Sequence, residues 1–565
     1  MARIRHIEIR NFRGIAALDW FPSPGLNCLI GAGDGGKTTI LDAIDFCIGA
    51  RRTAHFSDAD FYELNPGQPI SIRVTLGELP DTMRSMEGYG PYLRGFVVQP
   101  PEVVDEPGSG IETVLTVQLV VAGDLEPSWS LFSDRAVTQN AMRSLTWADR
   151  VRVAPTRIGG VSETQLGWRR GSVLARLTGE EVNGGPAMLQ AIRDARAAFG
   201  STAQRQLIET LKTVDRVASD LGVPLHGGAN ASLDAGTASV SAGTVSLHDS
   251  RGVPLRNLGT GSARLLVAGL QRAAAAEASI TLIDELEHGL EPHRIIALLG
   301  SLGAKENNPP LQIFATTHSP VAVRELAARQ LNILRQTDGG LRVLNAGDAE
   351  DVQGTMRLFP EALLAKSVIV CEGASEVGLL RGIDRRMAQR GTPTLMARAV
   401  ALVDAGGITK VYGRAAAFTK LGYRTMTFRD DDVKPDAAAE ASFKAEGGTV
   451  ASWGAERAIE DALFGDLHLE DAAHLLDRAI EICGTEAIDA NIRSASSGKQ
   501  SLADRAALLD EPGRPVLAKA ARSKSGWFKS VSWMEDVGFD IVDPGLARAA
   551  QPFQTVLREI SMWIG

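Results

Sequence analysis

A glycine-rich loop in this 565-residue chain has the residue types and spacing that phosphate binding requires. Residues 31–38 read GAGDGGKT, which fits the pattern GxxxxGK[ST], between an apolar run and a helical run. Glycines let backbone N–H groups converge on a β-phosphate, the lysine reaches the β- and γ-phosphates, and the hydroxyl ligates Mg²⁺. The residues assigned to nucleotide contact are Gly31, Gly33, Gly35, Gly36, Lys37, Thr38 and, opening the helical run, Thr39.

Two later strand ends carry polar residues that suit the same nucleotide. The apolar run Ile280–Ile283 leads into Asp284 and Glu285, and a run about 30 residues later leads to His318. Adjacent carboxylates after a buried strand suit a Walker B site, where one holds the Mg²⁺ water shell and the other polarises the attacking water. Because His318 comes after the phosphate loop and the two adjacent acids in the chain, we interpret it as a γ-phosphate sensor.

A separate set of carboxylates lies in the second half of the chain. Glu372 follows an apolar run and Glu376 lies one turn into the next helical run, while Asp430 and Asp432 follow a third strand, 425–428. In a parallel α/β layout such strand ends meet at one edge of the sheet, where oxygen ligands can hold hard cations. Asp430 and Asp432, two apart on an extended segment, point the same way, and Asp431 should point away.

The elements that position these groups predict an α/β protein of several domains. We expect an ATPase N-terminal lobe over 1–165, a helical insertion over 166–223, the rest of the ATPase over 224–355, and a second, Rossmann-like α/β domain over 356–565. In the insertion, apolar residues recur at three- and four-residue spacing from Leu207 to Leu221 and predict one apolar helix face. The insertion is either an internal packing unit or a dimerisation arm.

Composition narrows the class of protein. A hydrophobic content of 44% with 22% charged residues is typical of a globular chain, and the net charge of −9 argues against indiscriminate nucleic-acid binding. No apolar run approaches the roughly 20 residues that span a bilayer, so we expect no membrane association and a cytoplasmic location. The four scattered cysteines are interpreted as reduced core thiols.

From residue 1 to about 345, the order of motifs resembles the ABC-type ATPase heads of the SMC and RecF kind. The resemblance implies that Leu258–Ser262, including Gly261 and Ser262, binds ATP on an opposite subunit, so that two heads close over two nucleotides. It makes Asp284 the Walker B aspartate, Glu285 the catalytic glutamate and His318 the switch histidine. Two departures are Gly33-Asp34-Gly35, where Asn-Gly-Ser is usual, and Leu286, where proline is common. Asp34 near the phosphates leads us to expect slow ATP turnover.

The second half resembles a Toprim domain, with the pattern hhhEGxxE, a glycine turn, and hhhxDxD. An ABC-type ATPase followed by Toprim resembles the Overcoming Lysogenization Defect (OLD) family of nucleases over nearly the whole chain. The resemblance implies metal-dependent DNA cleavage with Glu372, Glu376, Asp430 and Asp432 as metal ligands. Glu460 resembles an additional acidic ligand or is an ordinary helix-face glutamate, and Lys524 or Lys529 supplies a lysine to the scissile phosphate or is a surface lysine.

The resulting expectation is an ATP-binding DNA endonuclease that hydrolyses phosphodiesters with two metal ions, Mg²⁺ or alternatively Mn²⁺ or Ca²⁺. ATP-driven association of heads would regulate it, in a homodimer or higher homo-oligomer, with antiphage defence as the role and a helicase as a further partner. The alternative is an ATP-gated DNA-binding, repair or signalling ATPase whose Toprim domain is catalytically silent.

Overall fold

The computed structural model describes residues 2–33, 35–159, 165–167, 172–178, 207–233, 245–275, 279–337, 339–347, 350–523 and 526–565. The chain divides into two compact units, Met1–Asp348 and Ala349–Gly565. Each unit has its own sheets and core, and each is described by itself. In the described part of the chain, no helix is long and apolar enough to cross a bilayer.

The N-terminal unit contains fifteen described strands and nine described helices. The strands are β1 (Arg3–Phe12), β2 (Ile15–Trp20), β3 (Leu26–Ile30), β4 (Ile70–Gly77), β5 (Leu93–Val97), β6 (Glu102–Val104), β7 (Glu112–Val121), β8 (Pro127–Phe132), β9 (Thr156–Ile158), β10 (Ala229–Leu233), β11 (Val245–Asp249), β12 (Ile280–Ile283), β13 (Gln312–Thr316), β14 (Leu331–Thr337) and β15 (Gly340–Asn345). The helices are α1 (Lys37–Ile48), α2 (Met86–Tyr89), α3 (Asp134–Thr138), α4 (Trp147–Val153), α5 (Val173–Thr178), α6 (207–220), α7 (Thr260–Ala273), α8 (Pro292–Ser301) and α9 (Pro320–Glu325).

Two large sheets build this unit. One is antiparallel, with the order β2-β1-β4-β7-β5-β6 and β8 paired to β7. The other has the order β15-β14-β3-β13-β12-β9, and its strands are parallel except for β15. All five residues of β3 are buried, as expected for a parallel strand covered on both faces. A single core joins residues of β1 and β4, the buried face of α1, and Phe314 of β13.

Helix α6 of the insertion packs directly on α7. A Cβ atom at Gly269 of α7 would lie 2.1 Å from Cγ1 of Val217, so the absence of a side chain there lets the two helices approach closely. Leu207, Leu211 and Val214 are buried on the same helix. The predicted apolar face of this helix is confirmed over 207–220. Most of the rest of the insertion lies outside the described residues.

The C-terminal unit is a four-stranded parallel sheet among helices. Its strands are β16 (Ser367–Cys371), β17 (Val400–Asp404), β18 (Arg424–Arg429) and β19 (Thr449–Ser452), in the order β17-β16-β18-β19. Its helices are α10 (Glu350–Leu358), α11 (Ala374–Gln389), α12 (Ile408–Lys420), α13 (Ala437–Ala445), α14 (Ile459–Asp466), α15 (Leu469–Cys483), α16 (Thr485–Ala495), α17 (Arg505–Leu509), α18 (Arg514–Ala521), α19 (Val531–Val537), α20 (Asp543–Gly545) and α21 (Gln551–Ile564). A π-helical turn, Gly538–Val542, joins α19 to α20.

Comparison with the sequence-based expectations confirms the α/β class in both units. Strand β12 has the predicted bounds, and β18 contains the predicted run 425–428. Strands β3 and β16 are the apolar runs predicted before the phosphate loop and before Glu372. Helix α7 begins at Thr260, so Gly261 and Ser262 lie in its first turn. All four cysteines are free, and three of them are fully buried.

Candidate nucleotide and metal sites

The phosphate loop joins the end of β3 to the start of α1. Gly31 and Gly36 have φ values of 144° and 84°, which residues with a side chain rarely adopt. Lys37 is 6% exposed, and its Nζ donates to the carbonyl oxygens of Gly31 at 3.0 Å and Ala32 at 2.8 Å. The loop backbone therefore holds the lysine beside the turn. Asp34, which departs from the resembled family, lies outside the described residues.

Asp284 lies directly opposite this loop. Its Oδ1 accepts hydrogen bonds from the Thr38 hydroxyl at 3.1 Å and from the Thr316 hydroxyl at 2.7 Å. Thr38 lies in the first turn of α1, and Asp284 follows β12 directly. The two side chains thus meet at one edge of the sheet. A hydroxyl beside a carboxylate is the pair of oxygen ligands that Mg²⁺ with a nucleotide takes from the protein.

Glu285 has a positive φ of 47°, a conformation uncommon for a residue with a side chain. Its N–H donates to Thr316 Oγ1 at 2.8 Å, and the next N–H, that of Leu286, donates to the Thr316 carbonyl at 2.9 Å. The Glu285 side chain is exposed, and His288 Nδ1 lies 3.5 Å from its Oε2. Proline at 286 would have no N–H for this bond, which gives a physical reason for the departure from the resembled pattern.

The segment Leu258–Ser262 packs against the loop that follows Glu285. A Cβ at Gly261 would lie 2.2 Å from the Gly289 carbonyl oxygen, and Arg294 Nη1 donates to Ser262 Oγ at 3.0 Å. One turn further along α7, the buried Arg264 donates to the carbonyl oxygens of Asp284 at 2.6 Å and His288 at 3.0 Å. The start of α7 is therefore bonded to the strand end that carries the two acids.

His318 follows β13 and is exposed. Its backbone N–H donates to Glu287 Oε1 at 2.7 Å, and the neighbouring Thr317 hydroxyl donates to Glu287 Oε2 at 2.5 Å. Glu287 thus ties the histidine loop to the loop after Glu285. The structure puts His318 at the same sheet edge as Asp284, since β12 and β13 are parallel neighbours.

Sequence reasoning missed Arg157, which lies on β9 beside β12. Its Nη1 donates to Asp42 Oδ1 at 2.5 Å, and its Nη2 lies 3.6 Å from Asp284 Oδ2. A strand of three residues is too short for hydrophobic alternation to reveal, so no sequence signal placed Arg157 beside the Walker B acid.

In the C-terminal unit, four elements bring five acids together. Glu372 follows β16 and accepts a hydrogen bond on Oε2 from the Asp430 N–H at 3.1 Å, while Asp430 Oδ1 accepts from the Ile459 N–H at 2.8 Å. Glu376, at the start of α11, is 3% exposed and accepts from the Gly373 N–H at 2.8 Å. The acid cluster is defined here as Glu372, Glu376, Asp430, Asp432 and Glu460.

Burial and mutual repulsion raise the pKa values in the acid cluster. The pKa of Glu376 is raised to about 8, first by burial and then by the charges of Glu372 and Glu460. The pKa of Asp430 is raised to about 9 by burial and by the charges of the other four acids. Burial likewise raises the pKa of Glu372 and of Glu460. In the absence of a cation, the cluster therefore favours the protonated form of these carboxyls.

Asp431 points away from the acid cluster, as predicted. It accepts hydrogen bonds from Arg429 Nη1 at 3.1 Å, Lys434 Nζ at 2.9 Å and the Glu456 N–H at 3.0 Å. Although its burial acts in the opposite direction, these bonds lower the pKa of Asp431 to about 2. Asp431 is thus a structural carboxylate, whereas its neighbours Asp430 and Asp432 belong to the acid cluster.

Glu460 lies on α14, is 3% exposed, and faces the cluster rather than solvent. Lys529 and Arg522 are near enough for their charges to act on Glu460. Lys524 lies outside the described residues. Sequence reasoning missed Arg522, whose Nη1 lies 3.0 Å from Asp461 Oδ2 and 3.8 Å from Asp432 Oδ2.

The cluster suits a hard cation by its chemistry, because all of its donors are carboxylate oxygens. Over the described ranges, no three His, Cys, Asp or Glu side chains are already arranged to hold a metal ion. Glu372, Glu376, Asp430, Asp432 and Glu460 are the residues that would hold one, and a cation would offset their mutual repulsion.

Comparisons with known proteins agree with this division of the chain. The family model "AAA domain" matches residues 6–76, and "AAA domain, putative AbiEii toxin, Type IV TA system" matches 125–324. The model "Overcoming lysogenization defect protein-like, TOPRIM domain" matches residues 363–432.

Curated relatives match only over a short segment. "DNA replication and repair protein RecF" of Nitrosococcus oceani is 48% identical over 44 residues, 8% of this chain and 12% of that protein. RecF of Porphyromonas gingivalis is 38% identical over 69 residues, 12% of this chain and 18% of that protein. The matched segments thus span less than a fifth of these relatives.

Among solved structures, the Smc head domain with an extended coiled coil bound to the C-terminal domain of ScpA, from Pyrococcus furiosus, is similar at 14% identity. The match covers 61% of this chain and 96% of that chain, with a TM-score of 0.37.

The two AAA matches lie in the N-terminal unit, and the TOPRIM match begins four residues before β16 and ends at Asp432. The order of these matches, AAA domains followed by an Overcoming Lysogenization Defect protein-like TOPRIM domain, matches the domain architecture of the Overcoming Lysogenization Defect family.

Proposed function

We propose that this protein is an ATP-binding, metal-dependent DNA endonuclease whose TOPRIM domain hydrolyses phosphodiesters and whose ATPase domain regulates cleavage. The observation that carries this proposal is the acid cluster. Five carboxylates from β16, α11, β18 and α14 are held together, although burial raises the pKa of four of them. Repelling carboxylates destabilise a domain unless a cation compensates them, and perturbed groups of this kind concentrate at functional sites.

The cluster supplies the groups that phosphodiester hydrolysis needs. Mg²⁺, Mn²⁺ or Ca²⁺, when bound by the carboxylates, would supply Lewis acidity and an activated water. Glu372, whose pKa burial raises, is suited to accept a proton, and its carboxylate is oriented by the Asp430 N–H. Lys529 or Lys524 would offset negative charge on the scissile phosphate.

The nucleotide site supports regulation by pairing of two chains. Lys37, Thr38 and Asp284 come from one chain. In the SMC and RecF heads that this chain resembles, the segment that corresponds to Leu258–Ser262 of a second chain completes each ATP site. In this chain, helix α7 begins within Leu258–Ser262, and its Arg264 donates a hydrogen bond to the carbonyl oxygen of Asp284. We therefore propose a homodimer or higher homo-oligomer whose heads close on ATP.

The experiment is incubation of supercoiled plasmid with the purified protein and Mg²⁺, Mn²⁺ or Ca²⁺, with and without ATP. We expect nicked or linear products with wild type and none with Asp430→Ala. Equal conversion of the plasmid by both proteins would contradict the assignment of the acid cluster as the active site. Equal cutting by wild type, Lys37→Ala and Glu285→Gln, with and without ATP, would remove the coupling to ATP.

An ATP-gated DNA-binding or repair ATPase with a silent TOPRIM domain is the second candidate, favoured by the short similarity to RecF. It predicts ATP-dependent retention of DNA without cleavage under any metal in the same assay. Antiphage defence and a helicase partner belong to the nuclease proposal, and phage plating on cells with wild type or Asp430→Ala would test the defence role.

A further inference from the structure

Arg522 is fixed at the border of the acid cluster by the packing of α18. Leu517, Ala518 and Ala521 of this helix are buried in the core of the unit, and the Arg522 N–H donates to the Ala518 carbonyl at 3.2 Å. The Arg522 side chain is 35% exposed. Its backbone is therefore held by the core while its guanidinium reaches solvent beside the cluster.

Two carboxylates share this guanidinium unequally. Nη1 lies 3.0 Å from Asp461 Oδ2, a hydrogen-bonding distance, and 3.8 Å from Asp432 Oδ2, an ion pair at longer range. Asp461 is the near partner and Asp432, a cluster carboxylate, the far one. The contact with Asp432 is thus the one more easily given up.

Asp461 has a second role that keeps it in place. Its Oδ2 also accepts a hydrogen bond from the Ala458 N–H at 2.9 Å, which closes the first turn of α14. The next residue back on that helix is Glu460, in the cluster. Asp461 therefore anchors Arg522 to the same helix end that presents a cluster acid.

A guanidinium has five N–H donors in a planar fork that matches the oxygens of a phosphate. Both ion pairs of Arg522 use Nη1. When Asp432 binds a cation, Arg522 loses its longer ion pair and keeps the shorter one. The guanidinium would then stay at the border of the cluster, where its other N–H donors would be available to an incoming anion.

We propose that Arg522 pairs with Asp432 while no metal is bound, and that it binds a phosphate oxygen of the DNA backbone once a cation occupies Asp432. This inference rests on the proposed nuclease function. It assigns the phosphate-binding role to a residue 90 positions beyond Asp432.

The test compares full-length wild type, Arg522→Gln, Arg522→Lys and, as a control, Arg505→Gln, which removes an arginine paired with Asp477. Mn²⁺ binding without DNA is measured by calorimetry, and plasmid cleavage is measured at saturating Mn²⁺. Thermal midpoints report folding of each variant.

We expect Arg522→Gln to bind Mn²⁺ about threefold more tightly, because a partly exposed ion pair competes only weakly. Its cleavage rate should fall by about 10- to 100-fold, as for loss of one charge-assisted hydrogen bond. Arg522→Lys should lie between, since it keeps the charge without the fork. Arg505→Gln should match wild type in both measurements.

Unchanged Mn²⁺ affinity in a folded Arg522→Gln overturns the pairing with Asp432, and unchanged cleavage overturns the phosphate contact. If Arg522→Gln fails to fold, Arg522→Met, which also lacks the charge, is measured in its place and is judged by the same two outcomes. If wild type cleaves no plasmid with any metal, the nuclease function fails, and the phosphate contact fails with it.

Discussion

The N–H of Asp430 donates to Oε2 of Glu372 at 3.1 Å, which links the ends of two neighbouring parallel strands through one carboxylate. The Ile459 N–H then donates to Asp430 Oδ1, so the link extends to α14. Three elements therefore orient the two acids before any cation binds, as preorganised sites require.

Replacement of Asp430 by asparagine should abolish cleavage. The amide keeps the shape and can still accept from the Ile459 N–H, but it loses the charge that holds a cation. We expect the plasmid cleavage rate to fall by more than about 100-fold, beyond the loss typical for residues that only support metal ligands. Asp436→Asn is the matched control, because Asp436 caps α13 and asparagine caps a helix equally well. Similar losses in both variants would contradict the assignment.

The acid cluster predicts a pH dependence of stability in the metal-free protein. Folding raises the pKa of Glu376 to about 8 and of Asp430 to about 9, so the folded state binds protons more tightly than the unfolded chain. The free energy of unfolding contributed by these groups therefore falls as pH rises from about 4 toward 9. Asp430→Asn removes part of this loss, so its thermal midpoint should exceed that of wild type by more at pH 9 than at pH 6. Calorimetric scans in EDTA measure this difference in thermal midpoint, and a difference that is constant with pH would contradict the raised pKa of Asp430.

Two helical glycines of the TOPRIM domain should respond to alanine with opposite sign. A Cβ at Gly382 of α11 would lie 2.2 Å from the Glu535 carbonyl oxygen, whereas Gly413 of α12 has open space. We expect Gly382→Ala to lower the free energy of unfolding by about 1–3 kcal/mol through overpacking. Gly413→Ala should raise it by about 0.5–1 kcal/mol through helix propensity. Denaturant titrations of both variants would decide, and equal shifts would refute the close approach of α11 and α19.

The nucleotide site predicts two different ATPase defects. Lys37→Ala should weaken ATP binding, because the lysine beside the loop is lost. Glu285→Gln should bind ATP normally and hydrolyse it at least about 100-fold more slowly, since the attacking water is no longer polarised. Filter binding and phosphate release measure the two steps. If closed heads form a dimer, Glu285→Gln with ATP should elute from gel filtration at a larger size than Lys37→Ala.

Much of the candidate chemistry could be predicted from local patterns. A glycine loop between a strand and a helix, or a carboxylate directly after an apolar run, is specified by consecutive residues, and so β3, β12 and β16 were predictable with their polar ends. The direction of Asp431 also followed from two-residue alternation alone. These features depend on near neighbours in the chain.

The arginines at both sites could not be predicted in this way. Arg157 reaches Asp284 from a three-residue strand, and Arg522 reaches Asp432 from the end of a helix 90 residues later. Arg264 lies in a helix whose apolar pattern marks it only as core. Their positions depend on sheet order and helix packing, which no local pattern in a single sequence encodes.

The close approach of α6 to α7 at Gly269 links the positions of the two helices. Val217 fills the space that a side chain at 269 would need, so the two helices are in direct contact at this glycine. Arg264 holds the first half of α7 to the backbone of Asp284 and His288, so α7 follows the nucleotide-facing edge. Helix α6 therefore packs on a helix that is bonded to the backbone of Asp284, and a movement of α7 relative to β12 would also move α6.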